Sequence, residues 1–166
     1  MRRKVTFTPR RFVRKLWQLG NFDVSPEGRR LAYAANKGEQ WTVFVMDLKT
    51  KREKVLLRSD QSVLNPEFSP DGRWIALQSD FEGDENFNIY VIGATGGEAR
   101  NITNHPADSA FPRWSPDGRK IAFISNRDGD RDNVFVIDAN GGEPRQLTDV
   151  DDIVTIDIEG NFIEGR

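Results

Sequence analysis

The chain contains no cysteine and only one histidine, His105. Without cysteine there is no disulfide, no thiolate nucleophile and no thiolate-held metal, and a lone imidazole is a poor start for a zinc site. Long apolar runs are missing as well: no stretch approaches the roughly 18–20 apolar residues that cross a bilayer. The charged N-terminal stretch lacks the apolar core of a secretory signal. Together these absences give the expectation of a cytoplasmic protein with no membrane span. Net charge is almost absent too, at −2 over 166 residues, but its distribution is lopsided. Arg2, Arg3, Lys4, Arg10, Arg11, Arg14 and Lys15 place +7 in the first twenty residues, which leaves −9 for the rest. A body that acidic does not suit the phosphate backbone of a nucleic acid, and none is expected as a partner.

What the chain does have is aromatic and apolar substance, with eleven Phe, four Trp and 37% hydrophobic residues. That is enough for a folded core in a chain of single-domain length. It also has a repeat. "EFSPDGRWIA" at Glu67–Ala76 returns 46 residues later as "RWSPDGRKIA" at Arg113–Ala122, and "SPEG" at Ser25–Gly28 is a third copy. In the turn, Pro presets φ, Asp bonds its local backbone and Gly takes the position where a side chain would obstruct. After it come "RRLAYAAN", "RWIALQSD" and "RKIAFISN", which align Leu31, Ile75 and Ile121, with Ala32, Ala76 and Ala122 beside them. Then "WTVFVMDL", "FNIYVIGA" and "DNVFVIDA" align Val45, Val91 and Val136. Such continuous β-branched and aromatic runs suit strands covered on both faces.

The turns "TGGE" at Thr95 and "NGGE" at Asn140 read as two-residue hairpins whose glycines supply positive φ. A fourth strand closes each unit, with Leu56, Ile102 and Leu147 in one column. Four antiparallel strands in about 45 residues cannot bury both faces of their own sheet, so the units must stack; that period points to propeller blades rather than a β-solenoid. The fold expectation is therefore all-β: a partial β-propeller of about three four-stranded antiparallel blades, with a short N-terminal helix. The blades are bounded at 21–58, 59–104 and 105–149, after a basic segment at 1–20. Residues 150–161 read as the start of a fourth blade or a closing strand that pairs with "KVTFT". Ile163–Arg166 match the recognition sequence of the clotting protease factor Xa, so 162–166 are either native or an engineered remnant and are left out of the fold reading.

The helix is expected after Thr8 as N-cap and Pro9 at the first position, with Gly20 ending it. Phe12, Val13, Leu16 and Trp17 line one stripe, and the basic residues lie largely off it. Docking of that stripe on the propeller or on a hydrolase domain is the expected use, with anionic lipid as the competing one.

Tandem "F/W-S-P-D-G-x-x-I-A-F" units followed by "I-Y-V-x-x-x-x-G-G-E-x-x-x-L-T" resemble the TolB-like β-propeller repeats. They are also similar to the propeller of prolyl-oligopeptidase-family serine peptidases, including acylaminoacyl peptidases and dipeptidyl aminopeptidases. The resemblance covers about Asn21 to Asp149. It implies a non-catalytic propeller that gates and selects peptides for a hydrolase domain absent from this chain. Three wedges make only half of a six-bladed ring, so the implied partners are the remaining blades and that hydrolase domain, or a second copy, besides a peptide substrate or protein partner. The alternative is a TolB-like protein- or peptide-binding module, or a three-blade scaffold that dimerises into a ring. The missing export signal counts against TolB proper, which is periplasmic.

Chemistry of its own is scarce. No G-x-S-x-G nucleophile elbow occurs. His105, Asp108 and Ser109 lie close in sequence, but in a proline-containing link that does not hold a relay geometry. Asp128, Asp130 and Asp132 alternate like an EF-hand, yet Asn133 and Ala139 stand where Gly and Glu are required, so a solvated loop is expected there. Asp80, Glu82, Asp84 and Glu85 in the matching loop indicate a generally acidic rim. Trp41, Trp74 and Trp114 invite a ligand platform, although their columns favour packing for Trp74 and Trp114. Arg29, Arg73 and Arg119 recur after the turn glycine, which argues for a solvated or a turn-bracing role. Arg100 and Arg145 are expected to pair with Glu98 and Glu143. No catalytic, cofactor-binding or metal residue is assigned, and no cofactor is expected.

Overall fold

The structure is a computed structural model that describes residues 18–36, 40–80, 83, 86–129 and 131–149, with 18–20, 155–156 and 162–163 described as backbone only. Twelve of its strands form three four-stranded antiparallel sheets, each in simple sequence order. Blade 1 holds β1 (Gln18–Val24), β2 (Arg30–Asn36), β3 (Trp41–Asp47) and β4 (Glu53–Ser59). Blade 2 holds β5 (Val63–Phe68), β6 (Trp74–Ser79), β7 (Asn88–Gly93) and β8 (Arg100–Asn101). Blade 3 holds β9 (Ser109–Trp114), β10 (Lys120–Ser125), β11 (Asn133–Asp138) and β12 (Arg145–Gln146). β13 (Thr155–Ile156) pairs with β14 (Phe162–Ile163).

The sequence columns are strand register. Ala32, Ala76 and Ala122 sit opposite Val45, Val91 and Val136 in the three sheets. The middle strands of blades 1 and 2 are buried nearly throughout, and blade 2 has a sheet packed on each face. Alternate residues then serve alternate joints. Between blades 1 and 2, Ala32, Ala34, Val43, Val45 and Leu56 meet Val63, Phe68, Ile75, Leu77, Tyr90 and Ile92. Between blades 2 and 3, Ala76, Ile89, Val91 and Ile102 meet Ile121, Phe123, Phe135 and Ile137. The small alanine of one blade makes room for the isoleucine of the next. Leu31, Tyr33, Ala35, Phe44 and Met46 cluster on the opposite face of blade 1. First strands pack on first strands, β1 along β5 and β5 along β9.

Each S-P-x-G corner closes in the same way. The Gly28, Gly72 and Gly118 N–H groups donate to the carbonyls of Ser25, Ser69 and Ser115 at 2.7, 2.8 and 2.8 Å, and all three glycines have φ near +68°. The serine hydroxyl accepts the N–H five residues on, at 2.9 Å in each copy.

Three sequence expectations change. Gln18–Gly20, expected as the end of the N-terminal helix, belong to β1; residues 9–17 lie outside the described residues, as does "KVTFT". The double-glycine turns are wider than two-residue hairpins: Gly96 and Gly141 donate back to Gly93 and Asp138, and β8 and β12 resume only at Arg100 and Arg145. Both glycines of each pair do have positive φ. Phe162–Ile163, set aside in the sequence reading, pair with Thr155–Ile156.

Candidate binding cleft and inner-strand charges

The residues weighed for catalysis are occupied in turns. His105 Nδ1 accepts the Ala107 N–H at 3.1 Å, the Asp108 carboxylate accepts the Phe87 N–H at 2.7 Å, and buried Ser109 takes a hydrogen bond from Arg127 at 3.0 Å. No two of the three face each other in these bonds. Asp128 is exposed, while Asp130, Glu82, Asp84 and Glu85 lie outside the described residues. Among the described residues, no group of three His, Cys, Asp or Glu is placed to hold a metal, and no helix is long and apolar enough to cross a membrane.

Blade joints are where polar side chains converge. Asp23 and Glu67 share a column near the end of the first strand, and each reaches forward to the next blade. Asp23 Oδ2 accepts the Phe68 N–H at 2.8 Å and Glu67 Oε1 accepts the Trp114 N–H at 3.3 Å. The Trp114 indole N–H donates to the Glu67 carbonyl at 3.1 Å. In blade 3 the same column holds Arg113, whose Nη1 lies 3.0 Å from Glu67 Oε2. Burial pushes the Glu67 carboxyl up; the Arg113 guanidinium opposes this and the Asp23 charge reinforces it. The inner strands thus present an acid, a second acid and a half-exposed arginine in succession.

At the corner of the joint between blades 1 and 2, Arg30 closes the gap. Its guanidinium lies 5.1 Å from the centroid of the Phe68 ring, donates to the Gly72 carbonyl at 2.8 Å and pairs with Glu27 at 2.7 Å. That pairing holds the Glu27 carboxyl down at about 2. At the joint between blades 2 and 3 the matching positions are Trp74 and Trp114, and a cleft of about 1110 Å³ opens there. Trp74, Trp114, Glu98, Arg119 and Asp138 line it. Trp74 is 46% exposed, which corrects the expectation that it packs. It occupies the place from which Arg30 reaches the Gly72 carbonyl of the next blade. Trp114 packs against the core between blades 2 and 3, and Trp41 is buried.

Of the recurrent arginines, Arg73 braces its turn through Asp71 at 2.6 Å, and Arg119 lies 4.0 Å from Asp117. Arg100 does not pair with Glu98; it donates to the Ala139 and Asn140 carbonyls of the next blade, at 2.9 and 3.0 Å. The forward-reaching Asp23, Glu67 and Arg100 were not singled out as joint contacts in the sequence reading. Their recurrence at blade spacing was the available signal. An aromatic platform flanked by an arginine and carboxylates can hold a peptide by stacking and charge, and supplies no nucleophile.

Residues 21–161 match the family model described as the TolB beta propeller domain. The uncharacterized peptidase YuxL of Bacillus subtilis (strain 168) is 39% identical over 94 residues, which is 53% of this chain and 14% of that protein. The crystal structure of TolB from Acinetobacter baumannii superposes with a TM-score of 0.67 at 25% identity, over 85% of this chain and 35% of that one. A puromycin-hydrolyzing peptidase of Mycobacterium tuberculosis shares the fold, with a TM-score of 0.61 at 20% identity over 75% of this chain and 21% of that one. The chain spans half or less of the length of these relatives.

Proposed function

This chain belongs to the TolB β-propeller domain family, and from that premise we propose that it is the non-catalytic propeller portion of a serine peptidase. The ring selects peptides by steric access and surface contact, and a hydrolase domain outside this chain carries out cleavage. One observation carries the reading: 39% identity to a peptidase over 94 residues, in a sequence that has no G-x-S-x-G elbow of its own. Arg113 and exposed Trp74 are the contacts assigned to substrate, the guanidinium for a peptide carboxylate or carbonyl and the indole for an apolar side chain.

The product of the natural reading frame tests the proposal. It is expected to hydrolyse short peptide substrates and to leave folded proteins intact. A second reading, a TolB-like module that docks a protein or peptide without hydrolysis, is favoured by the TolB superposition at a TM-score of 0.67. A reading frame with further blades and no peptidase activity would select it.

A further inference from the structure

The joints carry a rule for what stacks on blade 3, and this inference rests on the propeller reading above. Lys54, Arg100 and Arg145 occupy one register position on the outer strands, opposite Val45, Val91 and Val136. The first two reach forward to the turn between the third and fourth strands of the following blade. Lys54 Nζ donates to the Thr95 carbonyl at 2.5 Å, and Arg100 donates to the Ala139 and Asn140 carbonyls. The Arg145 side chain is exposed and makes no hydrogen bond or ion pair among the described residues. Beside it Leu147 is 47% exposed, where its column mates Leu56 and Ile102 are 9% and 4%. Blade 3 therefore presents an outer-strand cation and an aliphatic side chain in the same columns as the earlier blades, and among the described residues nothing engages that cation.

We propose that this face takes a further blade whose outer turn is of the acidic G-G-E kind, and that it rejects blade 1 of a second copy. The turn of blade 1 aligns residue for residue with the others, keeps an aspartate, Asp47, at the place of Asp138, and differs in carrying cations where the others are neutral or acidic. Leu48 and Lys49 stand at the places of Ala139 and Asn140, and Lys51 and Arg52 at those of Gly142 and Glu143. To reach those carbonyls Arg145 would have to enter a turn with three cations against one carboxylate, Asp47, whereas Arg100 enters a turn that carries Glu143 and the Lys120-paired Asp138 and no cation of its own.

The inner strands disagree as well. Phe68 and Trp114 have their N–H groups captured by the carboxylate of the preceding blade. Blade 3 offers Arg113 there, and the Val24 N–H is already bonded to Asp23 of its own strand at 2.8 Å. Val24 is also smaller than its column mates Phe68 and Trp114, so it would fill the joint poorly. With no inner carboxylate on blade 3, the outer cation is the contact left to select and register its neighbour.

The test uses the whole chain, alone and lengthened by a copy of residues 59–104 joined after Asp149, which places a G-G-E blade in register behind blade 3. In the lengthened chain Arg145→Glu is expected to lower Tm by about 2–4 °C, the shift that loss of one such contact gives in a domain of this size. In the original chain the same substitution is expected to leave Tm unchanged. Sedimentation velocity of the original chain is expected to show no closed dimer. Equal Tm shifts in both chains would overturn the staple. A discrete wild-type dimer that Arg145→Glu weakens would overturn the choice of partner, and this arm decides even if the lengthened chain does not fold. Peptide hydrolysis enters none of these readouts, so the inference and the functional proposal can fail separately.

Discussion

At the scale of single residues, Gly28 and Gly72 share φ +68° and differ in what surrounds them. A Cβ on Gly28 meets nothing within 4 Å, while one on Gly72 would come 2.8 Å from the Arg30 guanidinium and 3.1 Å from the Glu27 carboxylate. Gly28→Ala is expected to cost only the left-handed backbone penalty, about 1–2 kcal/mol. Gly72→Ala is expected to cost more, because Arg30 must also give up its bond across the joint. Urea unfolding of the two variants measures the difference, and equal losses would mean that the corner contact adds nothing. The same corner is sensitive to acid. The Asp71 carboxyl, held by the Ser69 hydroxyl and by Arg73, is lowered from 3.8 to about 2. A carboxyl depressed in the folded state adds stability above its unfolded pKa and loses it as pH falls through the folded one. Asp71→Asn is therefore expected to flatten the decline of Tm between pH 4 and pH 2, with the effect kept small by solvent screening at this half-exposed site. The Ser-Pro-Asp-Gly turn was legible from sequence because the bonds that close it are local. The exposure of Trp74 was not, since it depends on what the next blade places opposite it.

Strands and their order read directly from the repeat, because period, turn chemistry and β-branched runs agree. Irregularity inside a strand did not. β5 and β9 each break register, with Asn65 and Phe111 at φ 50° and 54°. Buried Gln78 supports both breaks: its Oε1 accepts from Asn65 Nδ2 at 2.7 Å within the blade and from the Phe111 N–H at 2.9 Å across the joint. Its column mates are Ala34 and Ile124, so no shared chemistry marked it in the alignment. Gln78→Leu keeps much of the volume and strands two donors in the joint, each at about 1–3 kcal/mol. A loss of several kcal/mol in thermal or urea unfolding is expected, and a loss below about 1 kcal/mol would show that the bulges hold themselves.

For the whole molecule, stacking is directional. Blades 1 and 2 each send an acid forward from the inner strand and a cation from the outer one, and the next blade receives them at its first strand and its outer turn. Fold class was legible because the turn-and-strand unit repeats three times. The open cleft was not, because it lies between blades, at a column where the three copies carry different residues, Arg30, Trp74 and Lys120. The proposed peptide selection belongs to this scale and is tested most directly by the ratio of kcat/KM values for a short peptide and a long one with the same cleavage site. The enzyme for that measurement is the product of the natural reading frame. The account predicts efficient cleavage of the short peptide and a steep loss with length, with Trp74→Ala raising KM more than it lowers kcat. Cleavage indifferent to length, or no cleavage at all, would contradict it.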